Sequence, residues 1–507
     1  MNYPQWDLPA SGLLIAVVAI VHVFVSHFAV GGGLFLVVTE WKARREGDDA
    51  LLDYVRRHSR FFVLLTLVFG AVTGVGIWFT IGLVHPAATS ALINAFVWGW
   101  AIEWTFFLTE IAAAIVYLYG WDRLSPRRHL TIGWIYFGAA WASLLVINGI
   151  LTFMLTPGAW LQTHTFWSGY FNPTFWPSLV IRTLGAIGLA GIYALFTASW
   201  MATPELKKKL AGYATLWILP LAIVLPLSLL WYFHAAATAG VPVAEIFGGS
   251  VWQAMTATTS GHPIAQMALR TVFGAAIATL LLVAAMFAFR RARFGRIVTA
   301  AIMLGGLLTI GGAEWVREGL RKPYVIGSYM YVNGVRVTDA RDASVLAHAK
   351  FVRAHADQGE ETFRLLCSNC HTTDGYLAIR PLLQRKSSAA LLTTIDRLDT
   401  WRGRRMPPFT GNEDEKYALA VFLAKLGGGT ITPRVAAIDG AAIFDSHCGA
   451  CHGADSDWQI EPRVAGKAED ELYDALGRLP ELNEMMPPFE GTDAERRALA
   501  KFLDARS

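Results

Sequence analysis

Long apolar runs alternate with short charged segments over the first 320 residues, and the pattern then changes to the mixed texture of a soluble protein. A run of about 20 apolar residues crosses the hydrocarbon layer of a membrane as a helix. Eight such runs stand near 11–39, 61–84, 94–119, 130–155, 177–201, 212–235, 264–289 and 297–316. The first does not read as a cleavable leader, because it is too long and Asp7, not a basic segment, precedes it. In the second half, the stretches 415–426 and 495–503 have the texture of helices that close small domains. The expected fold is all-α: a polytopic bundle of about eight transmembrane helices, then soluble helical domains.

Charge orients the bundle. Only 16% of residues are charged and 54% are hydrophobic, whereas a soluble chain carries about a quarter charged residues. The loops after helices 1, 3, 5 and 7 hold Lys42, Arg44, Arg45, Arg56, Arg57, Arg60, Arg123, Arg127, Arg128, Lys207, Lys208, Lys209, Arg290, Arg291, Arg293 and Arg296. The N-terminal tail and the loops after helices 2, 4 and 6 hold no Lys or Arg. Cytoplasmic loops collect positive charge, so the N-terminus is expected outside, and an even number of spans carries the C-terminal half outside too. This predicts a bacterial inner-membrane protein with its soluble half on the periplasmic face. The net charge of +4 is then a membrane signature, and no nucleic-acid partner is expected. Trp160, Phe166, Trp167, Tyr170, Phe171, Phe175 and Trp176 in the outer loops suit interfacial anchoring in lipid.

All four cysteines fall in two Cys-x-x-Cys-His motifs, Cys367-Ser-Asn-Cys370-His371 and Cys448-Gly-Ala-Cys451-His452. Thiols at this spacing form thioethers to the two vinyl groups of one haem, and the adjacent His ligates its iron. One match alone would also suit a redox dithiol. A zinc site would not require His directly after the second Cys in both copies. The motifs lie in an internal repeat of about 80 residues. Gly359, Phe363 and Cys367 recur at the same spacing as Gly440, Phe444 and Cys448, and Arg405-Met406-Pro407-Pro408-Phe409 recurs as Met485-Met486-Pro487-Pro488-Phe489. Residues 345–507 thereby resemble two class I cytochromes c in tandem. The resemblance implies two covalent c-type haems, with Met406 and Met486 as sixth ligands opposite His371 and His452. Met485 is a competitor for the second site, and filling of the core is the other use of either Met.

The membrane half resembles subunit I of the cytochrome bd quinol oxidases over roughly 10–325. The match is carried by Gly120-Trp121-Asp122-Arg123-Leu124, Ala71-Val72-Thr73-Gly74, Ala101-Ile102-Glu103, His22 and Arg321-Lys322-Pro323-Tyr324. It implies b-type haem, one or more, with His22 as an axial ligand. A His in mid-span is costly in lipid and faces a site or a partner helix, so a purely structural His22 is the competing reading. His85 and His234, at the outer ends of helices 2 and 6, are further candidate ligands or interfacial residues. Glu103 resembles a family carboxylate on a proton route, or is a buried Glu paired across helices.

Departures from the family bear on the chemistry. The family's low-spin haem uses a His on helix 5 and a Met on helix 7, where this chain has Arg182 and Val272. Arg182 and Arg270 recur in similar contexts and suit haem propionates or quinone oxygens, or else snorkel to the interface. The family's long quinol loop shrinks to about 236–262, and Glu314 or Glu318 stands in for a missing haem ligand. The resulting domain map is 1–322 for the membrane haem domain, 323–344 for a linker, and 345–429 and 430–507 for the cytochrome c domains. Three functions follow as expectations. One is an electron conduit between membrane b haem, with quinone as an open second cofactor, and periplasmic redox proteins. The second is a terminal oxidase fed by the c haems. The third is an electron-accepting anchor for exported enzyme subunits, with or without a second membrane subunit.

Overall fold

Each apolar run folds into a membrane-length helix in the computed structural model: Gly12–Glu46, Asp49–Val84, Val97–Tyr119, Pro126–Phe153, Phe175–Ala198, Pro204–Thr238, Ile264–Ala288 and Arg296–Arg321. The structure describes residues 11–201, 203–256, 263–288, 295–338, 344–349, 352–353, 357–400, 405–433, 439–453 and 456–506. Asp7, Arg290, Arg291 and Arg293 lie outside the described residues. Two compact units result, Met1–Ile431 and Thr432–Ser507. The first c module therefore folds together with the bundle.

Span one runs through the middle of the bundle, against spans two, four, five and eight. Gly31 makes this possible: a Cβ there would lie 1.8 Å from the carbonyl oxygen of Ala186 on span five. At Gly33 a Cβ would meet the Tyr136 ring of span four at 2.4 Å. Apolar side chains gain nothing from leaving lipid, so close backbone approach at small residues is what drives such packing. The ends of the spans alternate as the loop charges require. Lys209 pairs with Asp48, and Arg56 bonds Asp122 at 2.9 Å, tying together the loops after spans one, three and five. At the other end, the Gly327 amide after span eight donates to the Met154 carbonyl after span four at 2.9 Å.

Three boundaries differ from the sequence reading. Span two starts at Asp49 and not near 61, because Asp48 accepts from the Leu51 amide at 3.1 Å and caps an amphipathic extension. That extension buries Leu51, Tyr54, Val55 and Phe62. It joins the apolar part through a π-helical turn at Leu64–Gly70, a local widening that recurs next to functional sites. Span six breaks between Pro204–Leu216 and Leu221–Thr238, since Pro220 has no amide proton to continue the ladder. Span eight continues past 316 to Arg321, because Glu314, Arg317, Glu318 and Arg321 pair with each other at helical spacing. The segment after it holds a two-stranded hairpin, Tyr324–Ile326 with Met330–Tyr331. Tyr329 in its turn packs edge-on to Trp160 at 5.1 Å between ring centroids.

Candidate haem-binding sites

In each c module a capped helix runs into the cysteine motif. Asp357 accepts from the Gly359 amide at 2.8 Å to start Gln358–Leu366, and Asp439 accepts from the Ala441 amide at 2.9 Å to start Gly440–His447. The chain then tightens identically in both. The Cys367 and Cys448 amides donate to the Phe363 and Phe444 carbonyls at 2.8 Å. The His371 and His452 amides return to the Cys367 and Cys448 carbonyls at 3.0 and 2.9 Å. Each imidazole is steered by a backbone carbonyl six residues on. His371 Nδ1 lies 3.1 Å from the Leu377 oxygen, and His452 Nδ1 lies 2.6 Å from the Trp458 oxygen. A carbonyl acceptor keeps the proton on Nδ1, so Nε2 is the nitrogen suited to iron. No disulfide joins any of the four cysteines.

A closing helix crosses the first one in each module at a glycine. A Cβ on Gly359 would lie 2.1 Å from the Ala418 oxygen, and one on Gly440 would lie 2.2 Å from the Ala498 oxygen. Phe363 meets Phe422 at 5.8 Å and Phe444 meets Phe502 at 5.6 Å, pairs worth about 1 kcal/mol beyond their buried area. Both closing helices begin with a capping box, Asn412 with Glu415 and Thr492 with Glu495. Glu415 does more. It is fully buried and accepts from Ser344 Oγ at 2.7 Å and from the amides of Leu346, Val345 and Asn412 at 2.8, 3.0 and 3.0 Å. Burial alone would raise its carboxyl, yet these bonds hold it below the usual carboxylate range and pin the start of the short helix Val345–His348 to the module.

The methionine loops separate the two candidates for the second module. Met486 is half-buried, whereas Met485 is 81% exposed. Met406 is half-buried at the matching place in the first module. The expected outcome is that Met486→Ala lowers one haem potential and opens its iron to carbon monoxide, while Met485→Ala changes neither. Redox titration and ligand-binding spectra of the two variants check this, and the reverse pattern would assign the ligand to Met485.

Within the bundle, His22 of span one faces the turn that contains Thr73 and Gly74. Its Nδ1 lies 3.1 Å from Thr73 Oγ1, and a Cβ on Gly74 would press on Cε1 at 3.1 Å. The motif Ala71-Val72-Thr73-Gly74 thus makes room for the ring and orients it, an arrangement that can hold an iron through Nε2. His27 instead turns back on its own helix, with Nδ1 2.8 Å from the Val23 carbonyl. Arg182 donates to Glu314 at 2.9 Å, and Glu314 also accepts from Arg317 at 2.9 Å. Val272 is buried in an apolar cluster with Leu269, Val316 and Phe233. The two positions that hold an axial pair in the bd family are therefore an ion pair and a packed aliphatic here. Arg270 donates to the Ala254 carbonyl at 2.9 Å. His85 closes span two within electrostatic reach of Lys322, Arg321 and Glu318. His234 is exposed on span six.

Spans three and four carry a polar column that the sequence reading caught only in part. Ser143 donates to Glu103 at 3.0 Å, Tyr136 donates to Glu110 at 2.9 Å, and Tyr117 stacks near His129 at 4.3 Å. At the end that carries the basic loops, buried Glu40 accepts from Tyr117 at 2.7 Å and Arg44 at 2.7 Å, with His129 Nδ1 at 2.9 Å. The seven-residue spacing of 103, 110 and 117 was the available signal, since it puts all three on one helix face. The partners on spans one and four had none.

Residues 11–245 match the family model for cytochrome bd terminal oxidase subunit I. Residues 354–423 and 435–503 each match the model for cytochrome c oxidase, cbb3-type, subunit III. No curated protein matches the chain. Among solved structures, the bd oxidase from Geobacillus thermodenitrificans resembles it in fold, with 15% identity and a TM-score of 0.50 over 62% of this chain and 87% of that one. Domains of these two kinds imply haem b and haem c and redox partners. The chain is an integral membrane redox protein that joins a cytochrome bd subunit I domain to tandem cbb3-type cytochrome c domains.

Proposed function

We propose that this protein is an electron conduit between b-type haem in its bundle and redox proteins on the periplasmic side, through two c-type haems. Haem at these positions supplies reversible one-electron exchange at iron. In this reading Cys367, Cys370, His371 and Met406 hold the first c haem, and Cys448, Cys451, His452 and Met486 the second. His22 holds b haem in the bundle. His/Met ligation raises the potential of both c sites and suits them to hand electrons to or take them from soluble partners.

The observation that carries the proposal is the seam between the bundle and the first c module. Lys322, one residue past span eight, places Nζ 3.9 Å from the Sγ of Cys370. A Cβ on Gly12, at the outer start of span one, would lie 3.6 Å from the Asn369 carbonyl. The haem-attachment loop thus rests on the bundle itself, on the end where the loop charges put the periplasm. The ion pair at Arg182 and the short 236–262 loop support a route that bypasses the quinol entry of the bd family.

Flash reduction of the c haems in detergent tests this. The expected result is fast intramolecular equilibration with b haem, independent of added quinol. If b haem responds only to quinol and never to reduced c haem, the conduit reading fails and an oxidase or quinol-linked role takes its place.

A further inference from the structure

The outer end of span eight gathers more positive charge than its surroundings neutralise. Glu314 is shared by Arg182 and Arg317, and Glu318 is shared by Arg321 and by Lys322, the latter at 3.1 Å. A fifth cation arrives from the first c module: Arg405 reaches to 3.9 Å from the Cβ position of Gly319 and stands within electrostatic reach of Glu318. Five cations therefore face two carboxylates in a largely buried place. Three of their donors are buried without any partner, Arg317 Nη1, Arg321 Nε and Arg405 Nη1. Arg321 itself is only 9% exposed. Buried guanidinium groups persist only when opposite charge and acceptors meet them, and unpaired donors inside a protein are rare.

We propose that Arg317, Arg321, Lys322 and Arg405 form a carboxylate-binding cradle for the propionates of bundle-held haem, completed by the c module through Arg405. The inference rests on the conduit reading and deepens it. Carboxylates are the ligand class that guanidinium forks match in charge and geometry. The cradle belongs to bundle haem and not to the first c haem, because Lys322 lies at a thioether cysteine, and the vinyl edge of a haem is opposite its propionate edge. Its position gives Arg405 a second job. The residue just before Met406 inserts into the membrane domain, so the first c module cannot leave its seat without uncovering the bundle's carboxylate site.

The test is redox titration of both haem types in the full-length protein and in Arg405→Gln, Arg405→Lys, Lys322→Gln and Arg397→Gln. Arg397 is an exposed arginine of the same module and controls for net charge. A cation beside the propionates favours ferrous over ferric iron, which carries one more positive charge, so Arg405→Gln and Lys322→Gln should each lower the b-haem potential, with covalent haem unchanged at two per chain. Arg405→Lys should restore most of the shift, and Arg397→Gln should leave it alone. A shift confined to c haem, or no shift in b haem for either variant, overturns the cradle while leaving the conduit intact. Wild-type protein with no noncovalent haem overturns both. Lys322→Gln acts from the membrane side, so a misfolded c module in Arg405→Gln does not remove the test.

Discussion

Replacing Cys367 and Cys370 together by alanine is expected to leave one covalently held haem per chain in place of the two proposed for the native protein. Acid-acetone extraction removes b haem and spares thioether-linked haem, so the residual haem of the extracted protein reads the number directly. The expectation follows from how alike the two modules are. Each begins a capped helix at a glycine crossing, folds the second Cys and the His back onto the first Cys carbonyl, and fixes the imidazole through a carbonyl six residues later. Cys367 also packs against the apolar core of its module, beside Phe363 and Leu423. The double variant therefore loses both its covalent anchor and part of its packing. Retention of both covalent haems would end the assignment.

His22→Ala should remove noncovalent haem from the bundle and leave both c haems in place, as read by pyridine haemochrome spectra before and after extraction. The ring is bonded by Thr73 through Nδ1 and given room by Gly74, which leaves Nε2 as the nitrogen suited to iron. Two companions sharpen the result. Thr73→Val keeps the volume but removes the bond to Nδ1, and loss of the group that orients a ligating imidazole weakens a metal site by about 10- to 100-fold. His27→Ala should keep its haem, because His27 stands five residues after His22 and so points away from the face of span one that carries His22. Unchanged b-haem content in His22→Ala would return that residue to a structural role and move the search to His85.

The sequence alone determined the eight spans, their alternating ends and the c-haem motifs, for a common physical reason. Hydropathy over 20 residues and the spacing of Cys, Cys and His are local properties, and local properties survive any arrangement of the rest of the chain. Span ends were legible only where polarity and helicity change together. At Asp49 and at Arg321 they do not, since amphipathic or self-paired charged turns continue as helix. The tertiary structure decided the partners. Arg182 carried two readings in the sequence, and its pairing with Glu314, 132 residues away, follows from how spans five and eight rotate against each other. Thr73 behind His22, Tyr136 beside Glu110 and Cys370 beside Lys322 are of the same kind. Gly31 and Gly33 let span one approach spans five and four closely, and helix rotation in a lipid-exposed bundle is set by such packing, not by the apolar pattern.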